Sequence, residues 1–166
     1  MVPVEFAYQT GGAQLAVSVF ADRARVRDEI FEDAIAAGLA VRASGPLAAL
    51  LEDDVRALGD IVLIDCPQVS GAELAALSRL DLRAARSGAH FIVSTSVASL
   101  DDVFACCDQS APQILVDPSR AELAIALGRA QAHATGLRLR ELSDGERLML
   151  LQLSEQVSQI ADRLGR

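Results

Sequence analysis

"DIVLIDCPQVSG", residues 60–71, is the stretch on which the fold turns. Ile61, Val62, Leu63 and Ile64 form an unbroken apolar run closed by Asp65, and Pro67 then turns the chain toward a helical segment opening at Gly71. A strand that is apolar at every position is covered on both faces, as in parallel sheets, whereas a half-solvated strand alternates. Asp65 therefore stands at the C-terminal end of a buried strand. Whether it carries chemistry or only closes the strand is the question that the rest of the sequence has to answer.

The same unit recurs on either side. "AQLAVSVFA" reads as a strand, followed by "RVRDEIFEDAIAAG", whose Val26, Ile30, Ala34 and Ile35 fall near helical spacing before Gly38 ends the helix. "LAVRAS" is a second strand, with a helix between Pro46 and Gly59. After "IVLID" come the helix "GAELAALSRLDLRAARSG", the strand "AHFIVSTS", the helix "SLDDVFACCDQ", the strand "PQILVD" and the helix "SRAELAIALGRAQAHATG". Strict βα alternation predicts an α/β, flavodoxin-like, five-stranded parallel sheet in the order 2-1-3-4-5, with helices on both faces and a further C-terminal helix. The reactive edge of such a sheet is formed by the loops after the strand C-termini, where Asp22, Asp65, Thr95 and Asp117 lie.

Composition narrows the function. The chain has 166 residues, 51% of them hydrophobic and 23% charged, which suits one globular domain with an appendage. Trp is absent, so Ala, Leu, Val and Ile must build the core. A formal charge of −8 opposes non-specific attraction to nucleic acid, leaving DNA as a partner only through a separate output domain. The 15 basic residues are all Arg. No basic leader followed by an apolar segment opens the chain, and no run approaches a membrane span, so a cytoplasmic protein without membrane contact is expected. Cys66, Cys106 and Cys107 are odd in number and lack zinc spacing, which reads as buried thiols. His90 and His133 have no metal-ligand neighbours in sequence, and Ser94 and Ser96 have no nucleophile-elbow glycines. No glycine-rich phosphate loop follows the first strand, which argues against a nucleotide enzyme, and with no nucleophile–base pair either, an enzyme is not expected.

From Gln14 to Gly136 these residues resemble the receiver domain of two-component response regulators. "DIVLID" is similar to the family's third strand, which ends in the phospho-acceptor, here Asp65. "PQVSG" resembles the turn that follows, and "STS" places Thr95 at the hydroxyl position of the fourth strand. "ILVDP" resembles the end of the fifth strand, where a lysine precedes a cis proline, here Asp117 and Pro118. The spacing from Asp22 to Arg27 and Ile30 puts Asp22 on the second position of the acidic pair. The resemblance implies a signalling function, with Asp65, Asp22, Thr95, Asp117 and Pro118 as the phospho-acceptor site.

The departures from the pattern imply that this site is degenerate. In a working receiver, acids hold Mg²⁺ while a lysine and a hydroxyl neutralise and orient the phosphoryl group. Here Ala21 takes the first acidic position, Arg23 stands where another acid often follows, Asp117 replaces the lysine, and Ile114 replaces an aromatic switch residue. At about 5 Å and an effective dielectric near 20, a unit charge pair is worth roughly 3 kcal/mol, and exchanging a cation for a carboxylate doubles the difference. No cofactor is therefore expected. Mg²⁺ held by Asp22 and Asp65, with Asp117, is the alternative.

Beyond Gly136 the character changes. Ser143 and Glu146 read as a capping box that starts a new helix near Asp144. Leu150, Leu153, Val157, Ile160 and Leu164 then recur in 3-4-3-4 steps, a short heptad seam suited to homodimerisation as a coiled coil. The expected organisation is an N-terminal extension over 1–13, a receiver-like domain over 14–136, and a linker with a dimerisation helix over 137–166. This helix also resembles the signalling helix joining a receiver-like domain to a DNA-binding output domain in bacterial regulators, with the output domain outside this chain. The expected function is a non-enzymatic signalling module that dimerises and regulates transcription without conventional phosphorylation. The alternative is an atypical receiver that accepts phosphate on Asp65.

Overall fold

Alternation of side chains along the central strand explains the two-faced core. In the computed structural model, residues 14–49 and 58–165 are described, except the side chains of residues 141–145, 147, 148, 150, 151 and 154. The helix expected between Pro46 and Gly59 falls largely outside them. The elements are β1 (Ala16–Ala21), α1 (Ala24–Ala36), β2 (Ala40–Gly45), β3 (Ile61–Asp65), α2 (Gly71–Ser87), β4 (His90–Thr95), a short 3-10 turn (Val97–Ser99), α3 (Leu100–Cys106), β5 (Gln113–Val116) and α4 (Arg120–Leu164). All four strand pairings are parallel and the order is β2-β1-β3-β4-β5, the flavodoxin-like order that the alternating units predict. Every residue of β3 is buried. Val62 and Ile64 pack with Leu77, Leu80 and Val103 on one face, while Ile61 and Leu63 pack with Ile30, Ala34, Leu123 and Leu127 on the other. Edge strand β2 is only partly covered, in keeping with its mixed sequence.

The approach to β3 is sterically fixed. Gly59 has φ +98°, and a Cβ there would lie 2.9 Å from the Ala16 carbonyl oxygen, so only glycine fits. That closeness lets Asp60 N–H donate to the Ala16 carbonyl (2.8 Å) while Ala16 N–H donates to Asp60 Oδ2 (2.9 Å). The reciprocal pair sets the register of β1 against β3, and with it the alignment of their C-terminal ends.

One sequence expectation is corrected. No helix starts near Asp144, because α4 runs unbroken from Arg120 to Leu164. Gly136, Ser143 and Gly145 each weaken a helix by about 1 kcal/mol or less, whereas proline, the residue that would break it, does not occur within α4. The S-x-x-E signal that does cap is Ser119 with Glu122: Ser119 Oγ accepts the Glu122 N–H at 3.1 Å, at the true start of α4. By contacts the chain divides into two units, Met1–Ala134 and Thr135–Arg166. No described helix is long and apolar enough to cross a membrane.

Packing of α4 on the sheet unites two residues that look unrelated in sequence. The rings of His90, at the start of β4, and His133 meet edge to face with centroids 5.3 Å apart. Burial, reinforced by the neighbouring His133, lowers the pKa of His90. The unfolded chain thus binds a proton at His90 more readily than the folded one, so this residue's contribution to stability is intact above pH ~6.5 and declines as pH falls below it. Between pH 7 and 5, a His90→Gln variant should lose less stability than the wild type in urea melts; equal losses would show that His90 is not the proton-linked group.

Candidate functional site at the C-terminal edge of the sheet

Strand register assembles the site. Ala21 pairs with Asp65, Asp65 with Ser94, and Thr95 with Val116, so the strand ends that the sequence singled out lie side by side. Asp65 has 0% exposure. A carboxylate out of water is costly unless it is paired and hydrogen-bonded, so its partners decide what the site can do.

Those partners come from the start of α1 and from β4. Arg23, the N-cap residue of α1, donates from Nε to Asp65 Oδ2 (2.9 Å) and from Nη2 to Asp65 Oδ1 (2.8 Å), a bidentate fork. Ser94 Oγ donates to Oδ1 at 3.0 Å. Both carboxylate oxygens are thus engaged by donors that cannot leave without stranding a buried charge. The Arg23 side chain is 53% exposed, so the cation enters from the solvent side to reach an anion that water does not touch. Its pKa is raised, chiefly by the hydrogen bond to Asp65, which outweighs the opposing effect of burial, with the charges of Asp65, Asp117 and Glu29 each adding less.

The other sequence-predicted residues stand close by but face different tasks. Asp22 Oδ1 accepts the Leu47 N–H at 3.0 Å, capping the turn after β2. Thr95, 2% exposed, donates its hydroxyl to the Cys66 carbonyl at 2.9 Å. Asp117 is exposed, and its N–H donates to the Thr95 carbonyl at 2.8 Å. The cis peptide that the resemblance implies at Pro118 is absent: no peptide among the described residues is cis, and the turn is made by Asp117 in the left-handed region at φ +45°. The loop after β3 is held by hydroxyls, with Ser96 and Ser99 both donating to the Pro67 carbonyl (2.6 and 3.3 Å). Beside Asp65, burial first and then the charges of Asp65 and Asp22 push the Cys66 thiol up to about 12, which leaves it protonated and inert. Ile114 is half-buried and packs against the core cluster on the α2 side.

Two of the residues that matter most were undervalued in the sequence. Arg23 was visible only as a departure from an acidic pattern, and Ser94 only as a serine without a nucleophile elbow. The register that puts Ser94 beside Asp65 was the available signal. A divalent cation does not fit these contacts: Ala21 offers a methyl group, Asp22 is turned to a backbone amide, and a guanidinium covers both oxygens of Asp65. Among the described residues, no three His, Cys, Asp or Glu side chains converge as a metal ligand set.

No family model matches this chain, and no curated protein matches it. Solved structures do. A Burkholderia pseudomallei protein described as pilus assembly-related is 24% identical with TM-score 0.55, over 72% of this chain and 91% of that one. A signal receiver domain of an HD domain-containing protein from Pseudomonas fluorescens is 17% identical with TM-score 0.56, over 74% of this chain and 98% of that one. A fusion carrying the yeast Spc42 trimeric coiled coil is 12% identical with TM-score 0.59, over 92% of this chain and 97% of that one. This chain has the receiver-domain fold. The receiver-like unit has an aspartate at the end of β3 and a hydroxyl at the end of β4, and an arginine, Arg23, forks onto that aspartate.

Proposed function

We propose that this chain is a receiver-like signalling module, not an enzyme, that works without conventional phosphorylation of Asp65. The observation that carries this reading is the bidentate Arg23–Asp65 pair, completed by Ser94, on a carboxylate with no exposure. An attacking carboxylate needs a free oxygen, and the product needs cations to balance the added charge. Here both oxygens are occupied, Thr95 is committed to the Cys66 carbonyl, and Asp117 would add repulsion where attraction is required. With acetyl phosphate, or beryllofluoride and Mg²⁺, the protein should remain unmodified by mass spectrometry and its amide spectra should not shift. A stable adduct on Asp65 would instead favour an atypical phospho-accepting receiver.

Output in this reading passes through α4 to a homodimer and a DNA-binding domain outside this chain. Along α4, Leu153, Val157, Ile160 and Leu164 are all exposed, by 51 to 82%, although large aliphatic side chains in solution seek cover. The side chain of Leu150, the remaining member of the seam, lies outside the described ones. A helix bearing such a stripe is marginal in water by itself, and similarity to a coiled-coil fusion supports self-association as the cover. Leu153→Asp should yield a folded monomer in sedimentation velocity, since carboxylates in an apolar seam cost several kcal/mol. A wild type that is monomeric at high micromolar concentration would eliminate the seam as the interface.

A second reading is favoured by the 24% identical Burkholderia structure, described as pilus assembly-related. The module would then serve a pilus-assembly machine in place of a promoter. Deleting the coding gene separates the two: loss of surface pili with unchanged pilus transcripts supports assembly, while altered transcripts support a DNA-binding output.

A further inference from the structure

We propose that the imidazoles of His90 and His133 form a proton-operated latch, which holds the last packed turns of α4 on the sheet and releases them when both rings are protonated. His90 pairs with Ile61 at the start of β3, the far end of that strand from Asp65, so the latch does not depend on what Asp65 does. The two rings meet edge to face, with centroids 5.3 Å apart and planes at 65°. In that arrangement a neutral ring offers its electron-rich face to the edge of the other, and a single positive charge strengthens the contact. Two positive charges repel. The backbone N–H of His90 donates to the Asp60 carbonyl at 2.8 Å, which pins the β4 side of the pair to the sheet and leaves α4 as the side that yields.

The helix is packed there by small side chains. Leu123 and Leu127 fill the core, but the contacts closest to His133 are those of Ala130, which is buried, and Ala134, which is partly so, and a methyl group buries little area. The compact unit ends at Ala134. Gln131 adds a polar tie, donating from Nε2 to the Ala37 carbonyl at 2.8 Å. The charges around the pair leave a second proton uncompensated. No carboxylate stands on α4 between Glu122 and Glu141, whereas Arg129 lies four residues before His133, where like charges repel, and Arg138 follows it. The neighbouring elements bring Asp60 ahead of β3, Arg86 in the last turn of α2 and Asp108 ahead of β5. None of these bears on His90, whose protonation is opposed by burial and then by His133. The Asp60 carboxylate accepts the Ala16 N–H instead. Folding thus lowers the proton affinity of His90, so the latch is closed above pH ~6.5 and opens as pH falls below it.

Amide hydrogen exchange on the full chain at pH 7 and pH 5, corrected for the pH dependence of exchange in an unstructured peptide, tests the latch. In the wild type, protection of residues 126–134 should fall roughly tenfold more than that of β1 and β3, the factor that one unit of pKa displacement is worth. His133→Gln places a good helix former at an exposed position and should show no such excess. In the same variant the His90 titration followed by NMR should move to higher pH, because His133 no longer opposes its proton. His90→Gln should also lack the excess, and if it does not fold, His133→Gln gives the answer by itself. The latch is ruled out if the wild type loses protection evenly across helix and strands, if it loses none, or if His133→Gln opens at pH 5 as the wild type does.

Discussion

A carboxylate with no exposure at the end of the central strand must be neutralised from within the protein, and the partner chosen for it constrains everything nearby. The strand order makes this unavoidable. β3 is flanked by β1 and β4, so its C-terminal residue is enclosed by Ala21 on one side and Ser94 on the other. Ser94 supplies a dipole and Arg23 supplies the charge. If Arg23 were lost, the penalty would be lower than the roughly 3–5 kcal/mol typical of breaking a fully buried pair, because the guanidinium is half in water. It would still be large beside the whole stability of a domain, about 5–15 kcal/mol.

Arg23 also ties sequence-local to sequence-distant structure. As the residue at the N-cap of α1 it gives the helix no side-chain cap, since a guanidinium has no acceptor to offer a helix N–H, and its donors go instead to Asp65, 42 residues away. The first turn of α1 contains no acidic residue either. Favourable local terms for helix initiation are thus given up at this point, and the long-range ion pair offsets the loss. A polar network that replaces local capping with a cross-strand bond fixes the mutual position of β1, α1 and β3 more tightly than a cap would, because none of the three can shift without exposing Asp65.

The fold was legible in the sequence because its signals are one-dimensional. Continuous apolar runs such as "IVLID" and glycines at helix ends mark buried strands and stops without knowledge of the partner strand. The site was legible only in part. Asp22, Asp65, Thr95 and Asp117 could be placed at one edge from topology alone, yet where each side chain is committed depends on register and rotamer, which periodicity does not contain. Ser94 and Thr95 show this plainly: adjacent on β4, they point to opposite sides of the strand, and the one that reaches Asp65 is the one that no motif marked. The helix boundary failed for a different reason. Ser143 and Glu146 carry the composition of a capping box, but a cap acts only where the preceding backbone leaves the helix, and nothing between Gly136 and Ser143 forces it to leave.

The arrangement at the strand ends then has a direction. In a site that waits for a cation and a phosphoryl group, charge arrives and departs, and the hydroxyl and loop must be free to follow it. Here the cation is covalently part of the chain, the Thr95 hydroxyl is satisfied by the Cys66 carbonyl, and the Pro67 carbonyl is satisfied by Ser96 and Ser99. Each of those bonds would have to break for this edge to rearrange, at about 0.5–1.5 kcal/mol for a neutral bond that water can replace and more for a buried one that it cannot reach. Edge rearrangement driven by a small ligand is therefore opposed by several bonds at once. The apolar stripe from Leu153 to Leu164 differs from this edge, because its exposure is already unfavourable and covering it releases free energy without breaking any of these bonds.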